Sequence, residues 1–338
     1  RLPDRTYSAD HPGEIRDLLE SSSLGLVAVS RRLLEDPADS LLVVADQFEE
    51  IFRFARIVPG REARDQAAAC VDLLINASLQ DDVRVYVVLT MRSDYLGDCA
   101  HFTGLPEALN DGQFLVPRMT RAQLRAAIEC PVSVRGGLIS PTLVQRLLHD
   151  VDRMGGGDEG DVPSHQGQDH LPVLQHALMR MWNVAPGING SQAGGRRKSL
   201  DLPHYTNRPI ETLRHALDLH AEEVYWALPS DRHRAVARRV FQQLTDRDTE
   251  NRDVRRPTKF GELASVALRR APEEVSAEDA AVVQEVLDAF SGEGRGFVVV
   301  NAQQDVDISH ESFIRKWERL RQWVDEENRS RRIYTRLA

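Results

Sequence analysis

The sequence has no apolar run approaching the roughly 18 residues that cross a bilayer, and its start lacks the succession of a secretory leader. Both absences point to a soluble, cytoplasmic protein. Cysteine is scarce: Cys70, Cys99 and Cys130 are odd in number and widely spaced. That excludes a disulfide frame or a zinc site and reads as three reduced, buried thiols. A basic excess is also missing. A net charge of −9 argues against a protein that coats nucleic acid or anionic lipid, although a local basic patch stays open. There is no internal repeat, and the chain begins at Arg1 where a complete reading frame would begin with methionine, which reads as a fragment.

What is present is an ordinary soluble composition, 41% hydrophobic and 28% charged, over 338 residues, enough for two or three domains. The stretch LLVVADQFEE, residues 41–50, sets four branched apolar residues and an alanine against Asp46, Glu49 and Glu50. Residues 41–45 read as a strand. Residues 61–79 read as a helix, with Ala67, Cys70, Val71, Leu74 and Ile75 at helical spacing, and RVYVVLT, residues 84–90, as a second strand. Two apolar strands separated by a helix predict a right-handed βαβ unit in a parallel sheet covered on both faces.

From Thr120 the pattern turns helical. Thr120 and Gln123 form a capping-box signature, Pro131 is expected to end that helix, and Ser140 with Pro141 starts the next. Residues 155–169 and 186–201 are polar and glycine-rich and read as flexible loops; the acidic residues of the first lack the spacing of a calcium loop. Residues 206–248 read as helical, followed by helices near 259–270 and 277–290. GFVVVN and DVDIS then predict a hairpin. A closing amphipathic helix carries Phe313, Ile314, Trp317, Leu320, Trp323 and Val324 on one stripe. Helices, a two-strand wing and a final helix suggest a winged-helix domain.

Ligands of parallel α/β sheets bind outside the carboxyl ends of the strands. Asp46 ends one apolar strand and Arg92 stands two residues past the next. A carboxylate there can hold Mg²⁺ through water, an arginine can reach a terminal phosphate, and Glu49 or Glu50 can polarise an attacking water. The same residues also suit ordinary solvated strand ends. A phosphate loop, G-x-x-x-x-G-K-S/T, would decide the matter and is absent. The nearest match, Gly190 to Gly195 followed by Arg196 and Arg197, lacks the lysine and a preceding strand.

LLVVADQFEEIF, VVLTMRSDY, LPVLQHALMRMW, HAEEVYWAL, RRP at 255–257 and DISHESFIRKWERLRQW occur in that order. Together they resemble the bacterial novel STAND NTPases (nSTAND1 type), signal-transduction ATPases related to AAA+ and NACHT proteins, over about residues 30–326. The resemblance implies a partial α/β P-loop NTPase-like parallel sheet, a helical lid and a winged helix. The expected domains are 1–118 for the nucleotide-binding part, 119–205 for the lid, 206–326 for the helical and winged-helix part, and 327–338 as a linker. Asp46 would be the Walker B ligand of magnesium and Glu49 or Glu50 the hydrolytic acid. Arg92 would be the sensor arginine on the γ-phosphate. Pro172, in HLP, would pack on adenine, with His170 in the place of the family's glycine. His310 would reach the β-phosphate of ADP.

ATP, ADP and magnesium are the implied ligands. The implied behaviour is an ADP-closed, ATP-open switch that self-oligomerises and controls effector and sensor parts outside this chain, with bacterial defence as one setting. The phosphate-loop unit precedes Walker B in the family, so it is expected upstream of Arg1. Its genuine loss would leave a non-hydrolysing interaction module. A winged-helix regulator touching DNA through Arg315, Lys316, Arg319 and Arg321 is the other alternative, opposed by Glu311, Glu318, Asp325 and Glu326 on the same helix. A metallohydrolase built on His165, His170 and His176 lacks any ligand spacing.

Overall fold

The computed structural model describes residues 12–34, 36, 38–57, 61–155, 170–187, 197–207, 210–247, 253–292 and 294–337. The chain divides into two compact units, Arg1–Pro117 and Arg118–Ala338.

The first unit opens with α1 (Pro12–Ser21) and α2 (Gly25–Leu33), followed by β1 (Leu41–Ala45), α3 (Glu50–Ile57), α4 (Arg61–Ser78) and β2 (Val85–Leu89). A 3-10 stretch, Ser93–His101, and α5 (Leu105–Gly112) complete it. β1 and β2 pair in parallel, Leu41 opposite Val85 and Ala45 opposite Leu89. The strands alternate, so one face packs and the other does not. Val85 is buried, and Leu41, Val43 and Val87 pack with it against Val27 of α2 and Ala77 of α4. On the opposite face Leu42, Val44, Tyr86 and Val88 are 59%, 56%, 59% and 45% exposed. The expected cover on both faces is therefore corrected: among the described residues the sheet has two strands and one bare apolar face. A groove of about 630 Å³ opens beside β2, lined by Val87, Leu89, Arg92, Leu109 and residues 114–116 among others.

The second unit holds α6 (Arg121–Val134), β3 (Leu138–Ile139), α7 (Pro141–Gly155), α8 (His170–Val184), β4 (Ser199–Leu200), α9 (Leu202–Thr206), α10 (Leu213–Trp226) and α11 (Asp231–Gln243). It continues through β5 (Thr245–Arg247), β6 (Asp253–Arg255), β7 (Thr258–Lys259), α12 (Phe260–Leu268), α13 (Ala277–Ser291), β8 (Val298–Val300), β9 (Asp305–Ile308), α14 (Glu311–Lys316) and α15 (Glu318–Leu337). One buried apolar cluster runs from Ile128 to Val324 and includes all six residues of the closing stripe, so the division expected between 205 and 206 falls within a shared core.

The Thr120 box forms: Gln123 N donates to Thr120 Oγ1 at 3.3 Å and Thr120 N to Gln123 Oε1 at 2.8 Å. Pro131 does not end α6. It sits in the last turn, where buried Val132 holds the helix to the core and the proline removes one hydrogen bond. The expected hairpin exists as β8–β9, with β7 added on the other side of β9, all antiparallel. Residues 206–248 are not helical throughout: α10 and α11 are followed by β5, which pairs antiparallel with β6. Residues 156–169 and 188–196, the bulk of the two expected loops, lie outside the described residues; within the second, Ser199–Leu200 is a strand pairing in parallel with β3. α15 continues to Leu337, through most of the residues expected as a linker. Cys99 is buried but Cys70 and Cys130 are exposed, which corrects the expectation of three buried thiols.

Candidate functional site

Four of the expected site residues share one edge of the first unit. β1 ends at Ala45 and β2 at Leu89, so Asp46 stands opposite Thr90. Asp46 is exposed, and the Thr90 hydroxyl donates a hydrogen bond to its Oδ1. Gln47 N donates to Thr90 Oγ1 at 3.0 Å, and Phe48 N donates to Thr90 O at 2.8 Å. Gln47 takes a left-handed conformation, φ 54°, unusual for a residue with a Cβ. The turn drives Phe48 and Phe52 into the core, 6% and 3% exposed, and carries Glu49 inward with them.

The two candidate acids diverge. Glu49 is 9% exposed, and its Oε2 is buried with no hydrogen-bond partner among the described residues. Glu50 instead accepts two bonds from Arg53 Nη1, at 2.6 and 2.7 Å. Arg92 is also engaged: Nε donates to Asp94 Oδ1 at 3.2 Å and Nη2 to Oδ2 at 2.7 Å. Its guanidinium lies 5.7 Å from the centre of the Tyr95 ring. Tyr95 is buried and stacks with Phe52, centroids 6.2 Å apart.

An exposed single carboxylate held at one oxygen suits magnesium, which keeps most of its waters and needs only one or two protein oxygens. The orphaned buried oxygen of Glu49 is the kind of atom a bound water would satisfy. On this edge the residues fit an ion with its water shell. Among the described residues the edge contains no phosphate cradle; Gly190 to Gly195, the nearest sequence match, lies outside them.

Pro172 and His310 belong to the second unit. Pro172 is half-buried and third in α8, in the first turn, whose amides lack helical partners in any case. His310 is exposed and is the N-cap of α14, where its Nδ1 accepts from Ser312 N at 3.2 Å. That bond places the proton of the neutral ring on Nε2. α8 and α14 both pack against α10. Arg255, of the RRP stretch, donates to Asp307 Oδ2 at 2.7 Å and Ile308 O at 3.3 Å, tying β6 to the strand that leads into His310.

The arginines of the closing helices pair with carboxylates: Arg319 donates to Glu222 at 2.7 and 2.6 Å and lies 4.4 Å over Tyr225, and Arg321 lies 3.8 Å from Glu318. Of the three histidines considered for a metal, His165 lies outside the described residues, and no group of three or more metal-type side chains occurs among those described. His176 instead pairs with His220, Nε2 to Nδ1 at 3.1 Å, beneath Phe297. Burial, then the nearby Arg180 charge, pushes these rings down to about 4 and about 3. Sequence reasoning missed Thr90, Gln47, Asp94 and this histidine pair; only Thr90, between an apolar strand and Arg92, carried a positional signal.

The family model described as Novel STAND NTPase 1 matches residues 5–338. No curated protein and no solved structure matches the chain.

Proposed function

The chain belongs to the Novel STAND NTPase 1 family, and on that premise we propose that it is the core of a nucleotide-controlled signalling ATPase. Membership itself supports nucleotide binding and an NTPase type of signalling. The observation that carries the residue assignment is the shared edge: Asp46, Glu49 and Arg92 follow two strands that pair in parallel and in register.

In this reading Asp46 holds magnesium through water and Glu49 takes the proton of the attacking water. Glu49 is preferred to Glu50, which Arg53 occupies. Arg92, oriented by Asp94, donates to the terminal phosphate. Pro172 supports the base, and His310 donates from Nε2 to ADP. The ion supplies charge neutralisation at the phosphates. Because His310 serves ADP and not ATP, the two nucleotides favour different states, closed and self-associating respectively, and differential contact makes the exchange a switch. Effector and sensor parts lie outside these residues.

The exposed apolar face of β1–β2 is open to a packing partner, and the groove beside β2 adjoins Arg92. Equilibrium binding of ADP with and without magnesium tests the proposal. Magnesium should tighten binding, and Asp46→Asn should remove that gain, about tenfold or more. Identical binding by both proteins, or none by either, would leave a non-hydrolysing module.

A further inference from the structure

We propose that Thr90 is the positioning residue of the acidic edge: its hydroxyl sets the Asp46 carboxylate and the left-handed turn at Gln47 together. The inference rests on the magnesium reading of Asp46 and names a residue which that reading does not require.

Four hydrogen bonds tie residue 90 to the end of β1. Thr90 N donates to Ala45 O at 3.0 Å and Phe48 N to Thr90 O at 2.8 Å; any residue could make these two, because they use backbone alone. The other two use the hydroxyl. It donates to Asp46 Oδ1 and accepts from Gln47 N at 3.0 Å. One donor hydrogen and two acceptor lone pairs let a hydroxyl do both at once, which leaves serine as the nearest substitute. Asp46 is exposed, where a short side chain would otherwise sample several rotamers. Gln47 sits at φ 54°, a conformation that persists in a residue with a Cβ only when its surroundings hold it. Both constraints converge on one oxygen. The turn so fixed is also the one that buries Glu49, so a single hydroxyl places the ion-holding carboxylate and the entry of the second acid.

An ordinary strand-end threonine would stabilise the fold without regard to metal, and this separates the two roles. The test measures fluorescent ADP binding with magnesium and with a chelator, alongside thermal unfolding, for the full chain and for Thr90→Val, Thr90→Ser and Asp46→Asn. Thr90→Val should reduce the magnesium-dependent gain about tenfold, with the chelator-state affinity unchanged, and Thr90→Ser should restore it to within about threefold. If Thr90→Val does not fold, Thr90→Ala, which puts no methyl in the path of the Gln47 amide, carries the same comparison. A wild-type gain in the hydroxyl-free variant, or Thr90→Ser no better than Thr90→Val, overturns the inference while Asp46→Asn still loses the gain. Should Asp46→Asn match the wild type, the magnesium reading itself falls, and this inference with it.

Discussion

At the scale of single residues, the acids after β1 have different fates because the turn at Gln47 sends one inward. Glu49 is buried with no partner for Oε2 among the described residues, whereas Glu50 accepts from Arg53. A general base must keep an available oxygen near the reacting water. Glu49→Gln is therefore expected to slow ATP hydrolysis by about 100-fold with nucleotide affinity unchanged, and Glu50→Gln by less than about threefold, in steady-state phosphate release. An equal loss in both variants would contradict the assignment.

The histidine pair makes a separate prediction. His176 and His220 titrate near 4 and 3 in the fold against 6.5 when free, chiefly because burial disfavours the charged ring. The unfolded chain takes up protons first. The stability that the neutral rings contribute is thus full above about pH 6.5 and lost as pH falls toward 4, by up to about 1.4 kcal/mol per pH unit for each ring. Denaturant midpoints across that range should slope down on acidification, and His220→Gln should flatten the slope.

At the scale of elements, local signals were readable and remote ones were not. The Thr120 box, the two strands of the sheet and the β8–β9 hairpin each follow from neighbouring residues. The break between α14 and α15 does not. Glu318 N donates to Asp218 Oδ1 at 2.9 Å, so the first turn of α15 is capped from α10, a hundred residues earlier. Trp317, fully buried at the break, donates its indole N–H to Glu222 Oε1 at 2.8 Å. Periodicity cannot see such partners, and the stripe reads as one helix. Trp317→Phe is expected to cost about 1–3 kcal/mol in chemical denaturation, since it removes the indole bond to Glu222, which keeps Arg319, and shrinks a fully buried side chain. A change below about 0.5 kcal/mol would mean the indole bond does not hold the junction.

The bare sheet face was invisible for a related reason. Continuous apolar strands read as covered on both sides, but composition does not say which chain supplies the cover. Leu42 and Tyr86 lie exposed on that face, so replacing both with lysine should change the unfolding free energy of these 338 residues by less than about 1 kcal/mol, while reducing any self-association seen in sedimentation. Strong destabilisation would place those side chains in a core.

At the scale of the whole molecule, the ordered set of motifs was legible in the sequence, and with it the family. The candidate site was legible as residue types at strand ends; the contacts that select among them were not. Thr90, Gln47 and Asp94 make no motif of their own, and their roles come from a strand register and a left-handed turn that arise only in the fold. The central claim is a nucleotide preference exerted at His310. The most direct test is the ratio of ADP to ATP affinity, with magnesium, in the wild type and in His310→Ala. The account expects the wild type to prefer ADP, and the variant to lose that preference by about tenfold, about 1.4 kcal/mol, with ATP affinity unchanged. An unaltered ratio, or equal weakening of both nucleotides, would contradict it.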